Sequence, residues 1–274
     1  MPRRPPRNFK PSRTAPVESE GPKVGKHEKE FGVPIPGAIL PQEYWTQTAL
    51  KEWPADGLLN WEELFGRKAP VVADLGCGNG RYLLGSSLYR PQFDHLGVDI
   101  LPVVIRYARR RGNQRGFKNL RFAVGEERVV LEKYIPPGSL HELHVYHPQP
   151  YYDPGEIHKR QITPRFLWLA HRALEPGGLL VLQTDHPAYW KYMLQVAPIF
   201  FEFQAHPEPW EDAPRGRTRR EILARKRGLQ IFRGLGRARK DLDPAEAQRR
   251  AEALPPPVFN ADRRLIELDR MERV

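Results

Sequence analysis

The chain has 274 residues, more than one average domain and fewer than two comfortable ones, so one α/β domain with tails is expected. Charged residues make up 28% and the mean hydropathy is −0.62, while the longest apolar runs, such as Leu179-Leu180-Val181-Leu182, are too short to span a bilayer, so no membrane association is expected. The formal net charge is +11, which calls for a polyanionic partner if the cations cluster and only for a basic surface if they do not.

Residues 1–30 are rich in Pro, Arg, Lys and Glu, with almost no large apolar residue before Phe31, and are read as a disordered basic tail. Their opening, Met1-Pro2-Arg3-Arg4-Pro5-Pro6-Arg7, lacks the apolar segment of a secretory signal. With a single cysteine, Cys77, no internal disulfide forms, and a reducing cytoplasmic setting is expected. Asn60 to Gly66 reads as a short capped helix closed by glycine. From there strands and helices alternate. Strands are expected at 71–75, 94–99, 120–124, 140–146 and 179–183, with helices over 81–89, 103–111 and 164–174. Two further strands, 199–203 and 229–232, flank a basic segment and complete the sheet. The pattern predicts an α/β, Rossmann-like, mostly parallel sheet with helices on both faces, occupying residues 31–236. Residues 237–274 read as a charged, partly helical C-terminal tail.

Between the first core strand and its helix lies Asp74-Leu75-Gly76-Cys77-Gly78-Asn79-Gly80. Ligands of parallel sheets bind at the carboxyl ends of strands, so this turn stands where a binding site belongs. Gly76, Gly78 and Gly80 permit tight curvature and close ligand approach. A dinucleotide fingerprint requires a third glycine where this chain has Arg81, which argues against NAD and FAD. Asp74 suits a ligand bearing an ammonium group better than one bearing phosphates, and S-adenosyl-L-methionine has that amine. Asp99, 23 residues after Gly76 and at the end of the next strand, is placed to accept from ribose hydroxyls. Glu126, after the third strand, is placed to meet the adenine edge. No metal site is expected.

The cations do cluster. Residues 215–227 hold seven of them against one acid, and Arg106, Arg109, Arg110, Arg111 and Arg115 form a second group. Such grouping favours nucleic acid, with a solvated helix face as the alternative for either cluster.

From about Trp61 to Arg233 the chain resembles the bacterial tRNA (guanine-N7)-methyltransferases, which methylate guanine 46 in the variable region of tRNA. The likeness is carried by Trp61-Glu62-Glu63-Leu64-Phe65-Gly66, the glycine turn, Pro137-Gly138-Ser139-Leu140, His158-Lys159-Arg160, Pro164-Arg165-Phe166-Leu167, Pro176-Gly177-Gly178, Thr184-Asp185 and Thr218-Arg219-Arg220-Glu221. The resemblance implies a class I S-adenosyl-L-methionine-dependent methyltransferase with tRNA as partner. It places Gln149 and Asp185 at the reacting base, Thr218 and Glu221 beside it, and Lys159 and Arg160, with the 215–227 cluster, on the RNA backbone. Asp185 also fits a helix cap and Thr218-x-x-Glu221 a capping box. Tyr151 and Tyr152 are candidates for stacking on a base or for packing the loop, and His147 for supporting it.

One stretch departs from the family. Its Pro-Asp-Pro-Trp is Pro148-Gln149-Pro150-Tyr151 here, and the final Arg of its Lys-Arg-Arg is Gln161. Guanine N7 carries its own lone pair, so no base is needed. Catalysis rests on positioning and on stabilising positive charge on the purine. An amide at 149 does the second job less well than a carboxylate, by a few kcal/mol at most. A diverged methyltransferase acting on another RNA or a small molecule, and a catalytically weak RNA-binding relative, are the competing readings.

Overall fold

The computed structural model describes residues 27–55, 57–260 and 263–272, so the expected N-terminal tail up to residue 26 lies outside the described residues. The last residues assigned to that tail are built into the structure. Strands β1 (Lys29–Glu30) and β2 (Val33–Pro34) form an antiparallel hairpin in which Glu30 is buried. Helix α1 (Trp61–Phe65) starts where Asn60 accepts from the Glu62 and Glu63 amides, and it ends at Gly66 in the left-handed region.

The core follows as β3 (Val71–Leu75), α2 (Arg81–Tyr89), β4 (Asp94–Asp99), α3 (Pro102–Gln114), β5 (Leu120–Val124), α4 (Glu127–Lys133), β6 (Leu140–Tyr146), α5 (Pro164–Ala173), β7 (Leu174–Thr184), α6 (Pro187–Phe200), β8 (Phe201–Ala205), α7 (Arg219–Lys226) and β9 (Phe232–Ala238). Three of these helices begin with proline at their first position, after Leu101, Thr163 and His186; there the missing N–H costs nothing and φ is preset.

The seven-stranded sheet runs β5-β4-β3-β6-β7-β9-β8. The first five strands are mutually parallel, while β9 pairs antiparallel with both β7 and β8. Chain order therefore runs outward from β3 in one direction through β4 and β5, and in the other through β6 and β7. The reversal leaves a crevice at the carboxyl ends of β3 and β6. Alternate β3 residues face opposite layers. Val71, Ala73 and Leu75 join the core shared with α4, α5 and α6, and Val72 joins the one shared with α2 and α3. The expected mostly parallel, doubly covered Rossmann-like sheet is the fold observed.

Several elements differ from expectation. Ile199 and Phe200 end α6, so β8 starts at Phe201, and the last strand lies at 232–238 rather than 229–232. Helices α4 and α6 were not anticipated. The first has only seven residues, too few for a clear period, whereas the second does carry one, with Tyr189, Trp190, Met193, Val196, Ala197 and Phe200 buried at helical spacing and Pro198 in its last turn.

The chain beyond 236 is partly helical, as read, but packs back onto the domain. β9 crosses the expected boundary, and Leu242 with Ala247 and Ala251 of α8 (Pro244–Ala253) are buried in the main core. Arg160 holds the next stretch. Its guanidinium donates to the carbonyls of Pro150 (2.6 Å), Tyr151 (3.0 Å), Pro257 (2.6 Å) and Phe259 (3.3 Å), and lies 3.7 Å from the Phe259 ring centroid. The side chain is fully buried. It is thus a clamp joining the 150–151 loop to the C-terminal segment, not the RNA-backbone contact expected. A buried fork this fully engaged has no donor facing solvent. Helix α9 (Arg263–Glu272) follows, with Leu265 buried. Among the described residues no helix is long and apolar enough to cross a membrane.

Arg160→Met strips four carbonyls of a shared donor. The urea midpoint is expected to fall by an amount equivalent to about 3 kcal/mol, whereas Lys159→Met, one residue away but exposed, shifts it by less than about 0.5 kcal/mol.

Candidate active site

The crevice is lined first by the turn after β3. Gly76, Gly78 and Gly80 all have positive φ, but they serve different ends. A Cβ on Gly80 would lie 2.6 Å from Phe122 Cζ, so this glycine lets helix α2 close onto β5. A Cβ on Gly78 would meet nothing within 4 Å, and one on Gly76 would meet only Gln161 and Glu127 oxygens at 3.7 and 3.9 Å. The upper surface of the turn is therefore an open cradle whose walls are side chains (Gln161 donates to the Leu75 carbonyl at 3.2 Å).

Asp74 sits beneath it, 1% exposed, with Oδ1 buried and lacking a hydrogen-bond partner. Burial raises its pKa well above the usual carboxylate range, and neighbouring Asp99 adds to the rise. Asp99, at the end of β4, accepts from the Gly78 amide through Oδ2 and from the Leu101 amide through Oδ1, both at 2.9 Å. These two bonds fix its orientation at the rim of the cradle.

The third acid differs from expectation. Glu126 caps α4, accepting from the Arg128 and Val129 amides, and pairs with the Arg128 guanidinium at 2.9 Å. Its neighbour Glu127 turns toward the cradle. Burial pushes its pKa up to about 7, and Asp99 contributes to the rise. Acids at 126 and 127 are alike in sequence; only the start of α4 decides which one is spent on the cap. The sulfur of Cys77 is buried and its pKa is raised by burial, which keeps the thiol protonated.

A second recess adjoins the ends of β6 and β7. Here the structure brings together Gln149 and Asp185, the two residues expected at the base, with His147, His186, Arg220 and Leu265 of α9. His147 and Tyr151 are in the left-handed region at φ 52° and 41°. Such conformations cost non-glycine residues about 1–3 kcal/mol each and concentrate where a loop is held for function. Asp185 receives Arg220 Nε on Oδ2 at 2.8 Å, and His147 Nδ1 stands 3.4 Å from its Oδ1. Burial alone would raise its pKa, but His147 and Arg220 outweigh that and hold it well below the ordinary range. The carboxylate is ionised.

Thr218 and Glu221 are not in this recess. Thr218 caps α7 through the Glu221 amide at 3.0 Å. Glu221 is fully buried, held by Arg233, the Gln183 amide and the Arg217 backbone N–H. The pair expected to face the base is a helix cap and an internal anchor: Arg233, on the adjacent β9, claims the carboxylate.

The basic clusters are also partly internal. Arg220 is taken by Asp185, and Arg217 bonds Asp212 and the Tyr146 hydroxyl while lying 4.0 Å from the Trp210 ring centroid. In the other cluster Arg115 is buried against Glu28 and the Pro36 carbonyl, and Arg111 lies 3.6 Å from Glu30. Arg106, Arg110, Arg215, Lys226 and Arg227 remain on the surface. Lys159 is exposed and pairs with Glu156 at 2.9 Å.

A glycine cradle over a buried acid, at the reversal point of a sheet ordered this way, defines the Rossmann-like S-adenosylmethionine-dependent methyltransferase class. A family model described as "Putative methyltransferase" matches residues 68–233. The tRNA (guanine-N(7)-)-methyltransferase of Alkalilimnicola ehrlichii is 30% identical over 191 residues, covering 69% of this chain and 81% of that protein. The like-named protein of Halorhodospira halophila is 31% identical over 201 residues, covering 72% and 87%. The chain belongs to the tRNA (guanine-N7)-methyltransferase family.

An acid whose folded pKa lies above its unfolded value keeps its proton in the native state after the unfolded chain has lost it. Stability is then highest below the unfolded pKa and declines as pH rises toward the folded one. Between about pH 4.5 and 7, Glu127 makes the protein less stable with rising pH. Urea denaturation of Glu127→Gln and wild type across that window is expected to show stability falling less, or rising more, with pH in the variant.

Proposed function

We propose that this protein transfers the methyl group of S-adenosyl-L-methionine to N7 of a guanine in tRNA, guanine 46 of the variable region, in the cytoplasm. The observation that carries this reading is the buried Asp74 oxygen without a partner, under an open glycine cradle and beside the recess where Gln149 and Asp185 meet. The names of its relatives support the choice of tRNA.

The cradle fits the cofactor. A buried carboxylate oxygen lacking a donor suits an amino group, and the space above Gly76 and Gly78 is open. Asp74 would hold the amine and Asp99 the ribose hydroxyls, while Glu127 borders the same cradle. When bound, the cofactor supplies an electrophilic methyl on a sulfonium. The guanine attacks through its own lone pair, so the residues around it orient the base and tolerate the positive charge that arrives. Gln149 offers an amide to the base edge, and ionised Asp185 offers negative charge. Lys159 and the exposed cations of 215–227, Arg215, Lys226 and Arg227, are assigned to RNA phosphates.

N7-methylguanine is expected at position 46 in tRNA from cells carrying the gene and missing there in a deletion strain; unchanged modification would overturn the assignment. Asp74→Asn is expected to weaken S-adenosyl-L-methionine binding by about 2 kcal/mol, roughly 30-fold, in titration calorimetry. Gln149→Asp is expected to raise the transfer rate, on the order of tenfold, by restoring a carboxylate beside the purine.

A further inference from the structure

The tautomer of His147 is fixed by its neighbours. The indole of Trp210 only donates, and its Nε1 reaches Gln183 Oε1 at 2.6 Å. The Gln183 amide is thereby locked with Nε2 pointing the other way, toward His147 Nε2 at 2.8 Å and Glu221 Oε2 at 3.2 Å. An amide nitrogen only donates, so His147 Nε2 accepts, and the proton of this imidazole is on Nδ1. Nδ1 is buried on a side chain 5% exposed. It stands 3.4 Å from Asp185 Oδ1, near enough to help hold that carboxylate ionised but not aligned to make a full hydrogen bond to it. A buried donor left unsatisfied is costly and demands an explanation. This one belongs to the recess that also holds Gln149 and Asp185.

We propose that His147 is a specificity-determining residue whose Nδ1–H donates to the 6-oxo group of the target guanine. Guanine carries an acceptor, O6, next to a donor, N1–H. The recess offers the complement, a fixed N–H at His147 next to an ionised carboxylate at Asp185. Adenine presents the reverse order, an amino group at position 6 and a bare N1, so its amino group would face the imidazole N–H donor to donor. Sites built around a particular hydrogen bond reject analogues lacking it because their own buried groups are then left unpaired. Gln183 and Trp210 act as positioning residues, since they set which nitrogen carries the proton.

This inference rests on the tRNA-guanine reading, and the test separates the two. Steady-state methyl transfer is measured on tRNA transcripts carrying guanosine, inosine or 2-aminopurine riboside at the target position. Inosine keeps the 6-oxo group and 2-aminopurine lacks it. Wild type is expected to use guanosine and inosine far better than 2-aminopurine. His147→Phe is expected to lower kcat/KM for the two oxo-bases by about 10²-fold and for 2-aminopurine by little, so that discrimination collapses. Comparing the two enzymes on one substrate cancels differences in intrinsic N7 reactivity. His147→Asn, whose side-chain NH₂ can stand in for Nδ1–H, is expected to restore most of the discrimination. Equal losses on all three transcripts, or retained discrimination in His147→Phe, would overturn the proposal while leaving the tRNA assignment standing. A wild-type enzyme inactive on the guanosine transcript would instead overturn the assignment itself and this proposal with it. The KM for S-adenosyl-L-methionine is expected to stay constant in both variants.

Discussion

Parallel strands ending side by side expose their terminal carbonyls and side chains in one row, and where chain order reverses no crossover covers that row. Between β3 and β6 this protein places Asp74, whose register partners are Gly97 and His144, so an acid is buried in the middle of the sheet with strands on both sides. Water cannot reach its Oδ1, and the neighbouring carboxylate of Asp99 makes ionisation costlier still. A cationic ligand group relieves both penalties at once. Glu127, at the wall of the open turn above, is raised in the same way, chiefly by burial and further by Asp99.

That crevice was legible in the sequence because its signals are local. A strand followed by Asp74-Leu75-Gly76-Cys77-Gly78-Asn79-Gly80 needs only its own backbone to form the turn, and Asp99 is fixed by the next strand end. Residues misjudged from the sequence are claimed by partners that their motifs do not reveal, some of them far away in the chain. Arg160 is spent on Pro257 and Phe259, about a hundred residues on, and Glu221 on Arg233 across a strand boundary. Thr-x-x-Glu fits a capping motif and a ligand pair equally well, and the tie was broken by Arg233, which motif reading does not see. The same holds for charge. A net of +11 counts every cation as available, whereas Arg111, Arg115, Arg217 and Arg220 are consumed in folding the chain. The surface offered to RNA is smaller than composition suggests.

Burial of so many arginines has a structural logic. The 210–221 segment has to cover the ends of β6 and β7 without a hydrophobic layer of its own, and it does so with Trp210 and with guanidinium forks. Arg217 lies on the Trp210 ring and bonds Tyr146, and Arg220 takes Asp185. Planar, always-charged groups satisfy several acceptors at once and stack on aromatic faces, which suits a cover over polar strand ends. Its cost is that the acids beneath are already partnered when substrate arrives.

The cost bears directly on the change at position 149. A lone carboxylate beside the purine would contribute its full charge to an incoming cation. Asp185 is ionised, but Arg220 stands 2.8 Å from Oδ2, so the pair is close to neutral at a distance and its field is that of a dipole. Such a pair orients a base well, through the acceptor edge that remains on Oδ1, and stabilises developing charge weakly. With an amide at 149 and a compensated acid at 185, this recess is arranged for recognising guanine more than for electrostatic acceleration. Rate must then come chiefly from alignment of N7 with the methyl group, which is the contribution that an exact loop geometry, held at His147 and Tyr151 in a costly backbone region, is suited to supply.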